Sequence, residues 1–101
     1  MIFSLDTFDY IIVGAGAAGC VLANRLSCDP SINLCVLEAG GRDSNPYIRM
    51  PAGFVKTVYG DSISWAFTTA PGAGIEGHEI KMPQGKVRGG SSSINGMVYN
   101  R

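Results

Sequence analysis

The sequence offers no excess of either charge. Eight basic and eight acidic side chains cancel to a formal net charge of zero over 101 residues, and no run of one sign occurs. The electrostatic footprint that nucleic acid or an anionic surface would need is missing, so neither is expected as a partner. Histidine is nearly absent: His78 is the single one, and in a predicted loop it reads as solvated or structural, not catalytic. Cysteine is sparse as well. Cys20, Cys28 and Cys35 leave one thiol over in any disulfide scheme, and no His, Asp or Glu surrounds them at zinc-like spacing. They are expected to be buried free thiols of a reducing, cytoplasmic compartment, with no metal site. Long apolar runs are lacking too. The uncharged stretch from Tyr10 to Ala23 is too short for a membrane span, contains three glycines, and follows Asp6 and Asp9 instead of a basic segment.

What is present is apolar sequence, 46% of residues, punctuated by 14 glycines without a repeat. That suffices for one modest core. Phe8, Tyr10, Ile11, Ile12 and Val13 form a β-rich run that stops at Gly14, as in a strand buried on both faces of a parallel sheet. From Ala17 to Ser27 the apolar period becomes helical, through Ala17, Ala18, Val21, Leu22 and Leu26, until Asp29-Pro30 ends it. A second strand is predicted over Asn33 to Leu37. Strand, glycine turn, helix and strand make a βαβ unit with a right-handed crossover.

Inside that unit, Gly14, Gly16 and Gly19 have the GxGxxG spacing. Gly14 permits a tight turn, Gly16 lets a pyrophosphate approach, and Gly19 lets helix and strand pack closely. The free N–H groups at the helix start, near Gly16, Ala17 and Ala18, favour a diphosphate. Glu38, about 20 residues beyond the glycines, is placed for ribose hydroxyls, and its charge would repel a 2′-phosphate. The context of strand, helix and acidic residue supports dinucleotide binding, which leaves FAD and NAD open and makes NADP the weakest candidate.

The segment Gln84 to Gly96, QGKVRGGSSSING, has the composition of either a flexible linker or a loop that a phosphate approaches. Ile94, Met97, Val98 and Tyr99 follow, apolar residues that suit docking against a core or a ring system. Ser91 offers a hydroxyl, Asn95 offers both a donor and an acceptor, and the Gly89 and Gly90 amides could form an anion-binding nest. Between the motifs, a short helix is expected after Pro51. A strand across Ser64 to Thr69 is expected to pair with Glu79 to Met82 as a hairpin, with Trp65 and Phe67 packed in the core.

Taken together, FDYIIVGAGAAG, LEAGG, SWAFTTAP and GKVRGGSSSINGMVY resemble the N-terminal part of the glucose–methanol–choline oxidoreductases, from about Phe8 to the end of the chain. The resemblance implies an α/β fold: the incomplete N-terminal βαβ unit of a Rossmann-like FAD-binding domain, followed by a loop-rich segment with a short hairpin. It implies FAD as cofactor and a small alcohol as substrate. Val87, Gly89, Gly90, Ser91, Asn95, Gly96, Met97 and Val98 would join Gly14, Gly16, Ala17, Ala18, Gly19 and Glu38 around the cofactor, and the second segment would not be a linker. No catalytic residue is assigned, because the family's base lies near its C-terminus. Residues 1–101 are thus expected to be an N-terminal fragment, inactive alone and prone to self-association through exposed strand edges. Two positions depart from the family pattern. Gln84 stands where arginine is common, and Arg88 where an aliphatic residue is usual, so Arg88 is a candidate to replace a lost diphosphate contact. Ile94 occupies a position where some relatives carry a flavin-linking histidine, which excludes that linkage here.

Overall fold

The computed structural model describes residues 7–60 and 62–100. Strand β1, Tyr10–Val13, pairs in parallel with β2, Leu34–Leu37, in a register running from Tyr10 opposite Leu34 to Val13 opposite Leu37. Helix α1, Ala17–Leu26, makes the crossover. Its apolar period places Leu26 and Ala23 inward, and it ends where the Ser27 N–H donates to the Ala23 carbonyl at 3.1 Å. The turn beyond is fastened by Asp29, whose carboxylate accepts from the Ser31 hydroxyl and amide at 2.6 and 2.9 Å. Those two bonds, the hydroxyl first, hold the Asp29 carboxyl below its ordinary range.

The first strand differs from expectation in its burial. Ile12 is buried, whereas Tyr10, Ile11 and Val13 are exposed, Val13 by 85%. A parallel pair needs layers on both faces to bury its apolar side chains, and α1 is the helix packed against this sheet. The same deficit appears in the total: 7965 Å² is accessible, where a compact 10.6 kDa monomer exposes about 5,500 Å². The cysteines differ as well. All three are free, but Cys20 and Cys28 are exposed, each thiol turned back onto helix-region backbone, at Ala15 O and Asn24 O.

Beyond the end of β2, an isolated bridge ties in sequence from far along the chain. Gly41 and Val87 form a parallel bridge, and the Arg88 N–H donates to the Gly41 carbonyl at 3.0 Å. This contact brings Val87 into a small core with Ile63 and Ile94, against which Ile48 packs. Burial of Ile94 in that cluster gives the position a packing role that histidine, with its polar ring, would fill poorly.

Between the two halves lies a run of short helices. Helix α2, Pro46–Arg49, has Asn45 as its cap, with the side-chain oxygen accepting from the Tyr47 N–H at 3.0 Å, and Pro46 in the first turn. A 3₁₀ turn, Pro51–Gly53, leads into α3, Phe54–Val58, where the helix after Pro51 was expected; α2 was not expected. The hairpin follows. Strands β3, Ser64–Thr68, and β4, Lys81–Gly85, pair antiparallel from Ser64 opposite Gly85 to Thr68 opposite Lys81. The second strand therefore lies further along than Glu79 to Met82. Ile80 pairs with Thr69 just outside the ladder, accepting from its N–H at 2.9 Å and donating to its hydroxyl at 3.0 Å. Trp65 and Phe67 alternate onto one face and stack, centroids 5.9 Å apart, with the Lys86 ammonium 4.2 Å from the Trp65 ring centre. Neither ring is in the core: Trp65 and Phe67 are both exposed. His78 sits in the exposed turn between these strands.

Candidate cofactor site

The three glycines of the first motif sit in three different situations. Gly14 has φ +98°, the left-handed region that side chains other than glycine resist. At Gly19 an added Cβ would fall 2.0 Å from the Gly14 carbonyl oxygen, so this glycine serves the contact of α1 with the turn. Gly16 has neither constraint. Its φ of −75° suits any residue, and a Cβ built there meets no protein atom within 4 Å. As the N-cap of α1 it is a favoured but not obligatory glycine, and the space it leaves lies in front of the helix start. Ala17 and Ala18 form the exposed first turn, where N–H groups have no carbonyl one turn back to accept them. An open position in front of free helix-start N–H groups suits the charge of an adenine dinucleotide's pyrophosphate.

Glu38, at the end of β2, closes the turn from the other side. One carboxylate oxygen accepts from the Ala15 N–H at 2.6 Å and the other from the Gly40 N–H at 2.8 Å. These bonds, Gly40 first and Ala15 second, outweigh partial burial and hold the Glu38 carboxyl below its ordinary range. An ionised carboxylate has about four acceptor positions, so capacity for two ribose hydroxyls remains after the backbone is served.

The second motif comes directly onto the first. The Gly89 N–H donates to the Ala15 carbonyl at 2.7 Å, and a Cβ on Gly90 would lie 3.0 Å from the Gly16 Cα. Gly89 and Gly90 have φ of +91° and +59°, and the 3₁₀ turn Gly90–Ser93 follows. Below, Gly40 admits the chain: a Cβ there would strike the Lys86 carbonyl and the Val87 nitrogen at 2.2–2.3 Å. Gly85 admits the turn in the same way, its Cβ falling 2.2 Å from the Gly90 carbonyl carbon. The loop is thus seated by close backbone contacts at three glycines, which a flexible linker would not need.

Several expected ligand contacts are replaced by internal ones. The Gly89 amide is used by Ala15, and the Gly90 amide donates to the Val87 carbonyl at 2.8 Å, so these two N–H groups do not form an anion nest. Val87 itself is fully buried in the core and presents no side chain to a ligand; it is held at an isolated bridge to Gly41. The Ser91 hydroxyl accepts from the Gly85 N–H at 3.0 Å and donates to the Gln84 side-chain oxygen at 2.9 Å. Asn95 caps its own loop, donating to the Ser92 carbonyl at 2.6 Å and accepting from the Met97 N–H at 2.8 Å. Gly96 rests on the Phe54 ring, at an ordinary 3.6 Å from a built Cβ. Met97, at φ +54°, and Val98 are exposed. Arg88 uses its backbone, donating to Gly41 and accepting from the Ser93 hydroxyl at 2.8 Å, while its side chain is exposed. Sequence reasoning missed Gly40 and Gln84 as parts of this junction. The adjacent pair Gly40-Gly41 at a strand end was the available signal.

A groove with Val58, Tyr59, Phe67 and Lys81 on its walls, about 150 Å³, lies by the hairpin, away from the glycine junction. No cluster of metal-ligating side chains and no helix long and apolar enough to cross a membrane occurs among the described residues.

Fold and site together define a Rossmann-like βαβ unit whose phosphate turn is closed by a second glycine loop. The chain belongs to the GMC oxidoreductase family, whose model matches residues 8–101. It is 57% identical to an alcohol dehydrogenase (acceptor) of Pseudomonas putida over 94 residues, 93% of this chain and 17% of that protein. Among solved structures it resembles pyridoxine 4-oxidase from Mesorbium loti, with a TM-score of 0.85 and 38% identity, covering 94% of this chain and 18% of that one. A second similar structure is an FAD-dependent oxidoreductase from Chaetomium thermophilum, at TM-score 0.73 and 31% identity, covering 94% and 16%. The chain therefore spans less than a fifth of the length of these relatives.

Proposed function

We propose that this chain supplies the adenine-dinucleotide grip of an FAD-dependent oxidoreductase that removes hydride from the CH–OH group of a small alcohol. The observation that carries the reading is the junction itself: Gly89 bonded to Ala15, with Gly90 packed beside the Gly16 Cα and the Gly16 face left open. Family membership supports FAD over NAD, because the second glycine loop is matched along with the first. When bound, FAD supplies the ring that accepts the hydride.

In this reading the start of α1 neutralises the diphosphate through its free N–H groups and dipole. Glu38, held ionised by two backbone amides, accepts from the ribose hydroxyls and disfavours a 2′-phosphate. Gly89 and Gly90 act as a wall of fixed shape, their own donors being committed to Ala15 and Val87. Met97 and Val98 present exposed apolar surface toward which the ring system would lie. The base that accepts the alcohol proton, and the residues that select the alcohol, are assigned to sequence outside this chain, as is the cover for the exposed faces of β1 and β2. Alone, the chain is expected to be inactive.

The experiment is release and mass identification of the cofactor from the purified protein that carries this sequence. FAD is expected. A nicotinamide dinucleotide or flavin mononucleotide in its place overturns the assignment.

A further inference from the structure

Resting on the FAD reading, we infer that Gln84 is a positioning residue for the cofactor loop, acting through the Ser91 hydroxyl. Gln84 lies on β4, exposed and opposite Trp65 in the hairpin register, and does not belong to the phosphate turn. Its side-chain oxygen takes the Ser91 proton at 2.9 Å, and the same hydroxyl oxygen accepts from the Gly85 N–H at 3.0 Å. A serine hydroxyl has one donor and two acceptor positions. Its donor is therefore spent on Gln84, so Ser91 fastens the loop to the strand instead of reaching for a phosphate.

That fastening point is close to the contact that matters. Gly85 and Gly90 touch backbone to backbone, and Gly90 packs beside the Gly16 Cα. Holding Ser91 against the end of β4 thus fixes where Gly90 stands at the side of the cradle. The role requires an acceptor at position 84. Gln and Glu provide one; Leu does not, and Arg has donors only.

Four variants test this: Gln84→Leu, Gln84→Glu, Ser91→Ala, and Gln84→Leu combined with Ser91→Ala. FAD affinity of the apoprotein is read by flavin fluorescence quenching, and exchange of the Gly85 amide by NMR. One lost neutral hydrogen bond should weaken FAD about five-fold in Gln84→Leu, and Ser91→Ala, which also removes the acceptor of the Gly85 N–H, should weaken it at least as much. The double variant should be no weaker than Ser91→Ala alone, because the link to Gln84 is already gone there. Gln84→Glu should bind as the wild type does, and Gly85 should exchange faster in Gln84→Leu and Ser91→Ala. Independent, additive losses, or unchanged affinity in Gln84→Leu, overturn the inference while leaving the FAD reading intact. A wild-type protein that takes up no FAD overturns both, and the Gly85 exchange rates then show whether the link itself exists.

Discussion

The glycine junction and the hairpin are built from the same kind of bond, yet they respond to different demands. At the junction, Gly19, Gly40 and Gly85 are fixed by backbone atoms 2.0–2.3 Å from any Cβ, while Gly16, with an ordinary φ, opens onto unfilled space. In the hairpin loop, Gly72 and Gly74 meet nothing within 4 Å, and the aromatic pair beside them is exposed. The first region is determined by what the chain does to itself and to a ligand. The second is a ladder with one decorated face, whose side chains have room.

The contrast is broken or sharpened by substitution. The largest effect is expected at Gly40→Ala, which pushes Lys86 and Val87 away from the Gly40-Gly41 segment: about 3 kcal/mol of stability lost, as for severe overpacking, together with FAD binding. Thermal denaturation of the apoprotein measures the first loss, and a near-normal melting temperature would break the comparison. Next comes Gly16→Val. The backbone is ordinary but Gly16 caps α1, so stability should fall by about 1 kcal/mol, while FAD affinity falls on the order of 100-fold as the cradle fills. Equal affinity would show that the open space is not where the diphosphate lies.

Glu38→Gln is expected to weaken FAD about ten-fold, the scale of a hydrogen bond to a charged group. It carries a pH signature as well. Because the folded carboxyl titrates below its ordinary range, its stabilisation is present above about pH 4.3 and is lost as pH falls through the lower folded value. Melting temperature against pH should therefore drop less steeply on the acid side in Glu38→Gln than in the wild type. The smallest effects belong to the hairpin. Lys86→Ala should cost about 0.5–1 kcal/mol, the scale of an exposed cation–π contact, and Gly72→Ala should stay within about 0.5 kcal/mol in either direction. A Gly72 variant as damaging as Gly40→Ala would erase the distinction between the two regions.

The sequence made the junction's first half legible because each feature was local. Strand composition, helical period and glycine spacing all act within one βαβ unit, and β1, α1 and β2 lie close to where they were expected. Burial was less legible. Tyr10, Ile11 and Val13 read as interior residues, but burial depends on neighbouring layers, which a strand's own composition does not reveal. The same applies to Trp65 and Phe67. In the second motif, the spacing exposed the glycines' need for room but not who uses the donors. Whether Ser91 serves a phosphate or Gln84 depends on pairing between β4 and a turn six residues on, and the antiparallel register that sets it came out further along the chain than the apolar pattern implied. Helix α2 was readable in principle from Asn45-Pro46, a cap followed by a preset first turn.

The bond from Gly89 to Ala15 also makes everything between those residues a single closed ring of polypeptide. Ring-closure entropy rises only with the logarithm of circumference, about 0.6 kcal/mol for each doubling. Residues inserted into the loop between Thr69 and Ile80, which carries neither the core residues nor the hairpin ladder, would therefore tax the junction lightly, and that is where this architecture can be lengthened while the grip at its base stays the same.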